Sequence, residues 1–357
     1  MSTAVYPMIG LMSGTSGDGL DLAYCQYTLD QSWSYEIIKA LTIPFPEYLK
    51  GKLPNSHRLS SLDLNLLDVD FGQWMGQQVR LFCQKNQIRP LAVASHGHTV
   101  FHQPSKGLSL QIGNGWALRT TSNLPVINDF RMLDIQRGGQ GAPLVPIGDR
   151  LLFSDSDFCI NLGGIANISM EHEGQRVAFD CSPFNLLLNS LAEELGASYD
   201  DRGNWARSGK VNAELLGQLN QVPFYQLTEA KSLGREDMER DFLPLIKKFE
   251  ISPQDKLASL VEHYALQISD IIHRYKVVER PRVLITGGGA YNLFFLERLD
   301  AHLDGKWIHH PASKELIEFK EALVFGFLGA LRIRNEINCL ASVTGASEDS
   351  CGGVWYS

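Results

Sequence analysis

Two distant stretches of this chain open alike. Met8 to Tyr27 reads MIGLMSGTSGDGLDLAYCQY, and Phe158 to Cys181 reads FCINLGGIANISMEHEGQRVAFDC. Each is an apolar strand, a glycine-rich turn (Ser13 to Gly19 in the first, Gly163 to Asn167 in the second) and a further strand. Such a repeat points to an internal duplication, with two related α/β lobes facing one cleft. The alternation of elements agrees with it: Tyr35 to Ile43 and Ala92 to His96 read as strands, Leu62 to Gln87 reads as a helix, and the segment around Asp149 to Asp157 closes the first lobe. The expected lobes are residues 1–150 and 151–357.

The first turn suits an anion. Gly10, Gly14, Gly17 and Gly19 let backbone N–H groups approach a ligand with no Cβ in the way, and Ser13, Thr15 and Ser16 add hydroxyl donors. Asp18 and Asp21 would repel a bare phosphate, which calls for a divalent cation beside it. A glycine-rich hairpin with no ligand would look similar. In the second half, SPFNLLLNSLAEELGA places Ser182 at an N-cap, Pro183 at the first helical position and Gly196 at the helix end. Asp255 to Tyr275 reads as a long amphipathic helix. PRVLITGGGAYN reads as a strand running into Gly287, Gly288 and Gly289, followed by a helix through Leu299. Strand, glycine turn, helix is a nucleotide-site arrangement, although glycines also serve close packing. Because these turns lack both the Walker and the GxGxxG spacing, a phosphate would be gripped by hairpin turns from both lobes.

Composition limits the functions. The 357 residues, 44% hydrophobic and 20% charged, can bury a large core. A net charge of −8 argues against nucleic acid or an anionic membrane as partner and favours a small-molecule substrate. The N-terminus has neither the basic segment nor the cleavage site of a signal peptide, and no apolar run approaches the ~20 residues of a membrane span, so a cytoplasmic address is expected. Cys25, Cys83, Cys159, Cys181, Cys339 and Cys351 have no C-x-x-C spacing and are expected to be reduced thiols. His96 and His98 share one strand face, as two metal ligands would, but further ligands have no evident source.

The ordered motifs identify a likeness. They are GLMSGTSGDGLD (Gly10 to Asp21), SHGHTVFH (Ser95 to His102), DFRMLDIQRGGQGAPLVP (Asp129 to Pro146), INLGGIANIS (Ile160 to Ser169) and FDCSPFN (Phe179 to Asn185), followed by KSLGRE (Lys231 to Glu236), GGGAYN (Gly287 to Asn292), EAL (Glu321 to Leu323) and VTGA (Val343 to Ala346). In these the chain resembles anhydro-N-acetylmuramic acid kinases, members of the actin and hexokinase superfamily, over nearly its whole length. The resemblance implies an actin/hexokinase-like, ribonuclease-H-like α/β fold with duplicated domains around a central cleft. It implies ATP-dependent phosphorylation of 1,6-anhydro-N-acetylmuramic acid, an amino sugar of peptidoglycan recycling, coupled to hydrolytic opening of its anhydro bridge. Asp180 matches the family's catalytic aspartate, the general base on the attacking water. Thr99, Arg131 and Glu321 match its sugar contacts. For the nucleotide, the resemblance carries over Gly14, Thr15, Ser16, Gly17, Asp18, Gly19, Leu20 and Asp21, with Gly163, Gly164, Gly287, Gly288 and Gly289 beside them. Mg²⁺ is expected with the ATP, Asp18 being the metal-side candidate, and a homodimer is what the family suggests. Arg235 lies in a matched motif without an assigned role.

The chain departs from the family pattern beside Asp180, where FDTGPGN becomes FDCSPFN with Cys181, Ser182 and Phe184. A reshaped sugar pocket or altered phosphate access is the expectation there. His98 likewise stands where glutamine is usual. Two other readings therefore accompany the first: a kinase for a different amino sugar, and a paralogue that keeps the fold as a sugar- or nucleotide-binding regulator.

Overall fold

The computed structural model describes residues 3–13, 19–227 and 231–357, with the backbone alone at Arg235. The described strands, in chain order, are β1 (Ala4–Ser13), β2 (Gly19–Leu29), β3 (Trp33–Pro44), β4 (Ala92–Ser95), β5 (His98–Gln103), β6 (Leu108–Ile112) and β7 (Val126–Asn128). They continue with β8 (Phe158–Leu162), β9 (Ile165–His172), β10 (Gln175–Pro183), β11 (Arg282–Thr286), β12 (Ile308–His310) and β13 (Val354–Tyr356). The chain forms two compact units, residues 1–152 with 319–357, and residues 153–318.

In the first unit, β1, β2 and β3 form an antiparallel meander, and β4 and then β7 add in parallel on the other side of β1. The sheet order is β13-β7-β4-β1-β2-β3. Apolar residues on alternate positions of β1 and β2, such as Ile9, Leu11, Leu20 and Leu22, meet Phe71, Met75 and Val79 of the helix Ser61–Asn86 in one core. That helix starts where the Ser60 hydroxyl accepts from the Asp63 N–H. On the other face of β1, Gly10 lies against the helix Lys314–Ile333, and a Cβ there would fall 1.8 Å from the Ala322 carbonyl oxygen. Gly10 is therefore a packing glycine, not an anion contact.

The second unit repeats this order. Strands β8, β9 and β10 form the meander, and β11 and β12 add in parallel beside β8, giving β10-β9-β8-β11-β12. The duplication read from the two glycine hairpins is thus a duplication of topology, and the fold is the two-unit ribonuclease-H-like one. Its core is built around the helix Pro253–Tyr275, capped by Ser252 with Pro253 in its first turn.

Two details differ from expectation. Residues 319–357 belong to the first unit and not to a lobe running from 151 to the end, because β13 pairs with β7 at the edge of the first sheet. The helix after Asp180 begins at Asn185, not at Pro183, since β10 continues through Pro183 and Ser182 stays in register with Ala166 of β9.

Candidate functional site

In parallel α/β sheets the ligand-facing groups gather beyond the carboxyl ends of the strands. The candidate residues of the first unit lie at those ends. Strand β1 ends at Ser13, β4 runs into His96, and β7 leads through Asn128 and Asp129 to Arg131. Arg131 is held on two sides: its Nε and Nη2 donate to His96 Nε2 (3.3 and 2.8 Å), and its Nη1 donates to the Gly141 carbonyl (2.7 Å). Gly141 is fixed in turn by the buried Asp134, whose carboxylate accepts from the Gly141 N–H, the Thr344 hydroxyl and the Cys339 thiol. Burial lowers the Arg131 pKa to about 10, opposed by the nearby Glu321 carboxylate, so the guanidinium stays cationic at neutral pH. Glu321 itself is raised, by burial first and by the charge of Asp21 second, with Arg131 and Lys320 opposing. The Glu321 carboxylate therefore feels both Arg131 and Asp21 within this unit. Thr99, half-buried on β5, accepts from Gln111 Nε2 at 3.2 Å, and the same amide donates to Ser109.

The histidines are not a metal pair. His98 Nε2 faces the Leu53 carbonyl (3.2 Å) and must donate to it, so its Nδ1 accepts from the Ser13 hydroxyl (3.1 Å). His96 is equally occupied. Among the described residues no cluster of three or more His, Cys, Asp or Glu side chains could hold a metal.

Of the nucleotide candidates, Gly14, Thr15, Ser16, Gly17 and Asp18, including the proposed metal-side aspartate, lie outside the described residues. Gly19 opens β2, and Leu20 is only 1% exposed. The Leu20 side chain faces the core, which leaves only its backbone to meet a ligand. Asp21 accepts from the Thr42 hydroxyl at 2.6 Å.

In the second unit, Gly163 and Gly164 form the tight turn between β8 and β9, and Gly287 follows β11, which runs parallel to β8. The two turns thus share one end of the sheet. The Gly163 and Gly164 carbonyls accept from the N–H groups of Asn185, Phe184 and Leu186, which ties the hairpin to the start of the helix Asn185–Glu194. The three later glycines separate by role. Gly287 has φ +80° and needs glycine for its conformation. Gly288 is exposed, whereas Gly289 is buried where a Cβ would stand 2.4 Å from a Phe184 ring carbon. Gly289 is a packing residue, so the turn offers Gly288 and the backbone around it to a ligand.

Asp180 sits at a bulge in β10, where the register with β9 shifts between Asp180 and Ser182. A bulge re-aims side chains, and here it separates Asp180 from the wholly buried Cys181. The Asp180 carboxylate accepts from the Leu233 N–H at 2.8 Å, and the Asp180 N–H donates to the Lys231 carbonyl at 2.9 Å. Burial raises its pKa above the usual aspartate value, against hydrogen bonds from Leu233 and the Ser232 side chain. The KSLGRE segment thus acquires a role that the sequence did not reveal: its first residues hold the aspartate.

A family profile described as anhydro-N-acetylmuramic acid kinase matches residues 6–357 of this chain. Relatives bearing that name align end to end. The one from Nitrosomonas europaea is 33% identical over 98% of this chain and 99% of its own length. Those from Vibrio cholerae (34%) and Pseudomonas syringae pv. syringae (36%) each cover 98% of this chain, and 97% and 98% of the relatives. The chain belongs to the anhydro-N-acetylmuramic acid kinase family.

Within that family its departures at 181 to 184 prove to be internal. Cys181, Ser182 and Phe184 are all fully buried. The Ser182 hydroxyl pairs with Tyr225 (3.1 Å), and the Phe184 ring packs on Tyr264 and Phe295 with centroids 5.3 and 5.0 Å apart. All three side chains are therefore packed into the core of this unit, and Phe184 lies against Gly289 of the later glycine turn. At position 98 a neutral imidazole supplies one donor and one acceptor, the same pair that the family's amide carries.

Proposed function

We propose that this protein uses ATP to convert 1,6-anhydro-N-acetylmuramic acid into N-acetylmuramic acid 6-phosphate, opening the anhydro bridge with water. The observation that supports it most is end-to-end kinship with the family, and the candidate base, Asp180, has its carboxylate oriented by the Leu233 N–H. Asp180 takes a proton from the water as that water forms a bond to the anomeric carbon. The bond from that carbon to O6 breaks, and O6 takes the γ-phosphoryl group as ADP leaves. A carboxylate whose basicity is raised by burial is a better base at neutral pH, and a positioned base contributes roughly 10²- to 10⁴-fold. In the first unit, Arg131 meets the acid group of the sugar, and Thr99 and Glu321 meet its remaining polar groups. The segment Gly14 to Asp21, with Gly163 and Gly164, binds the phosphates, and the turn at Gly288 supports the nucleoside.

Mg²⁺ fits the donors on hand. It takes one or two carboxylates together with substrate phosphates and water, and the neighbouring Asp21 and Glu321 carboxylates supply hard oxygen atoms. Asp21 and Asp18 would hold it, and when bound it neutralises charge on the β- and γ-phosphates. The same reading carries a cytoplasmic, homodimeric enzyme of peptidoglycan recycling, the dimer being testable by light scattering. No described helix is long and apolar enough to cross a membrane.

The test is ADP release by the purified protein with and without 1,6-anhydro-N-acetylmuramic acid, alongside Asp180→Asn. Sugar-stimulated release that is lost in the variant is expected. Absence of stimulation in the wild type would refute the substrate, and an active Asp180→Asn would refute the base.

A further inference from the structure

His96 enters none of the roles above, yet it carries Arg131. The guanidinium has five N–H groups. Those on Nε and Nη2 that meet His96, and the one on Nη1 that meets Gly141, leave one on each terminal nitrogen. That pair is the fork a carboxylate accepts from. The imidazole is itself fixed. Its Nδ1 lies 2.9 Å from the Gly97 carbonyl, which can only accept, so Nδ1 bears the proton and Nε2 turns its lone pair to Arg131. The ring is 7% exposed and tilted against Phe325, with centroids 4.8 Å apart. A second proton would be expelled by burial and by the arginine charge, which hold the His96 pKa far below its ordinary value.

We infer that His96 is a positioning residue: a neutral imidazole locked as hydrogen-bond acceptor, which aims Arg131 and thereby sets affinity for the acid group of the sugar. This rests on the reading of Arg131 as a sugar contact. It separates His96 from a merely space-filling ring by what each substitution removes. His96→Leu keeps bulk without an acceptor. His96→Asn keeps polarity but ends a bond short of Arg131. His96→Gln places a carbonyl oxygen near the position of Nε2.

Steady-state kinetics on the full chain test it, with sugar and ATP varied separately and melting temperatures recorded. His96→Leu and His96→Asn are expected to raise the sugar KM roughly tenfold or more, the loss of the acceptor that two N–H groups of the charged guanidinium share, with the ATP KM within about twofold. His96→Gln should recover most of the affinity, and His96→Leu added to Arg131→Ala should do nothing further, since coupled residues are not additive. Should His96→Leu fail to fold, His96→Asn against His96→Gln carries the comparison. An unmoved sugar KM in the Leu and Asn variants overturns the inference, as does an effect that persists undiminished without Arg131. A wild type with no sugar-dependent turnover overturns the functional reading and takes this inference with it.

Discussion

Replacing Phe184 by alanine separates a packing role from a pocket role for the residue that most sets this chain apart near Asp180. The ring is wholly buried between Tyr264, Phe295 and Gly289. Truncating such a phenylalanine costs about 3–5 kcal/mol, lost burial plus the cavity left behind. For a unit of this size each kcal/mol moves the midpoint by about 2–4 °C, so the second unit should melt on the order of 6–20 °C lower. Differential scanning calorimetry of the full chain reads this directly. Below its melting transition the variant should retain a sugar KM close to wild type, because the ring is enclosed by core side chains. Gly289→Ala tests the same contact from the other side. Its methyl would lie 2.4 Å from Phe184 and 2.6 Å from Leu162, an overlap worth about 1–3 kcal/mol. In the double variant the first overlap is gone, so the two effects should add to less than their sum. A Phe184→Ala protein that melts within about 2 °C of wild type, or strict additivity in the double variant, would refute the packing account.

Two further outcomes follow from buried charge. Asp180 has a raised pKa in the folded chain, so its ionised form destabilises the fold; that penalty is absent below the ordinary aspartate value and fully present once the pH exceeds the folded value. Asp180→Asn should therefore melt at or above wild type at neutral pH while losing turnover, and a lower melting point there would contradict the sign. In the first unit, Lys320 and Asp149 form an ion pair at 2.7 Å with both side chains 5% exposed. Lys320→Met alone should cost about 3–5 kcal/mol by stranding a charge, whereas the added change Asp149→Leu should restore most of it; chemical denaturation of both variants checks this, and a neutral Lys320→Met would refute it.

The sequence made the local features readable and hid the long-range ones. Apolar alternation and glycine turns announced the strands and both hairpins, because those patterns depend on neighbours a few residues apart. The pairing of Arg131 with His96 joins two loops that only the parallel alignment of β4 and β7 brings together, and the spacing SHGH invited a metal reading instead. The inward course of Phe184 depends on the bulge at Asp180, which alternation alone does not reveal. Leu20 belongs to the contiguous motif that suggests a nucleotide contact, although its place in an alternating strand puts its side chain in the core. The return of residues 319–357 to the first unit was hidden because β13 spans only Val354–Tyr356, too short for any periodic signal.

That return also orders the protein's birth on the ribosome. The second unit is a continuous stretch, Phe153–Glu318, and has its whole sheet once β12 has emerged. The first unit, although begun earlier, lacks the helical segment that covers Gly10 and its edge strand β13 until residues 319–357 are made. Chains are synthesised at roughly 5–20 residues per second, and domains fold as units when their residues are available. The later-encoded unit is thus the first able to finish, while strands β1 to β7 wait, with part of their apolar surface uncovered, for residues 319–357 to follow it.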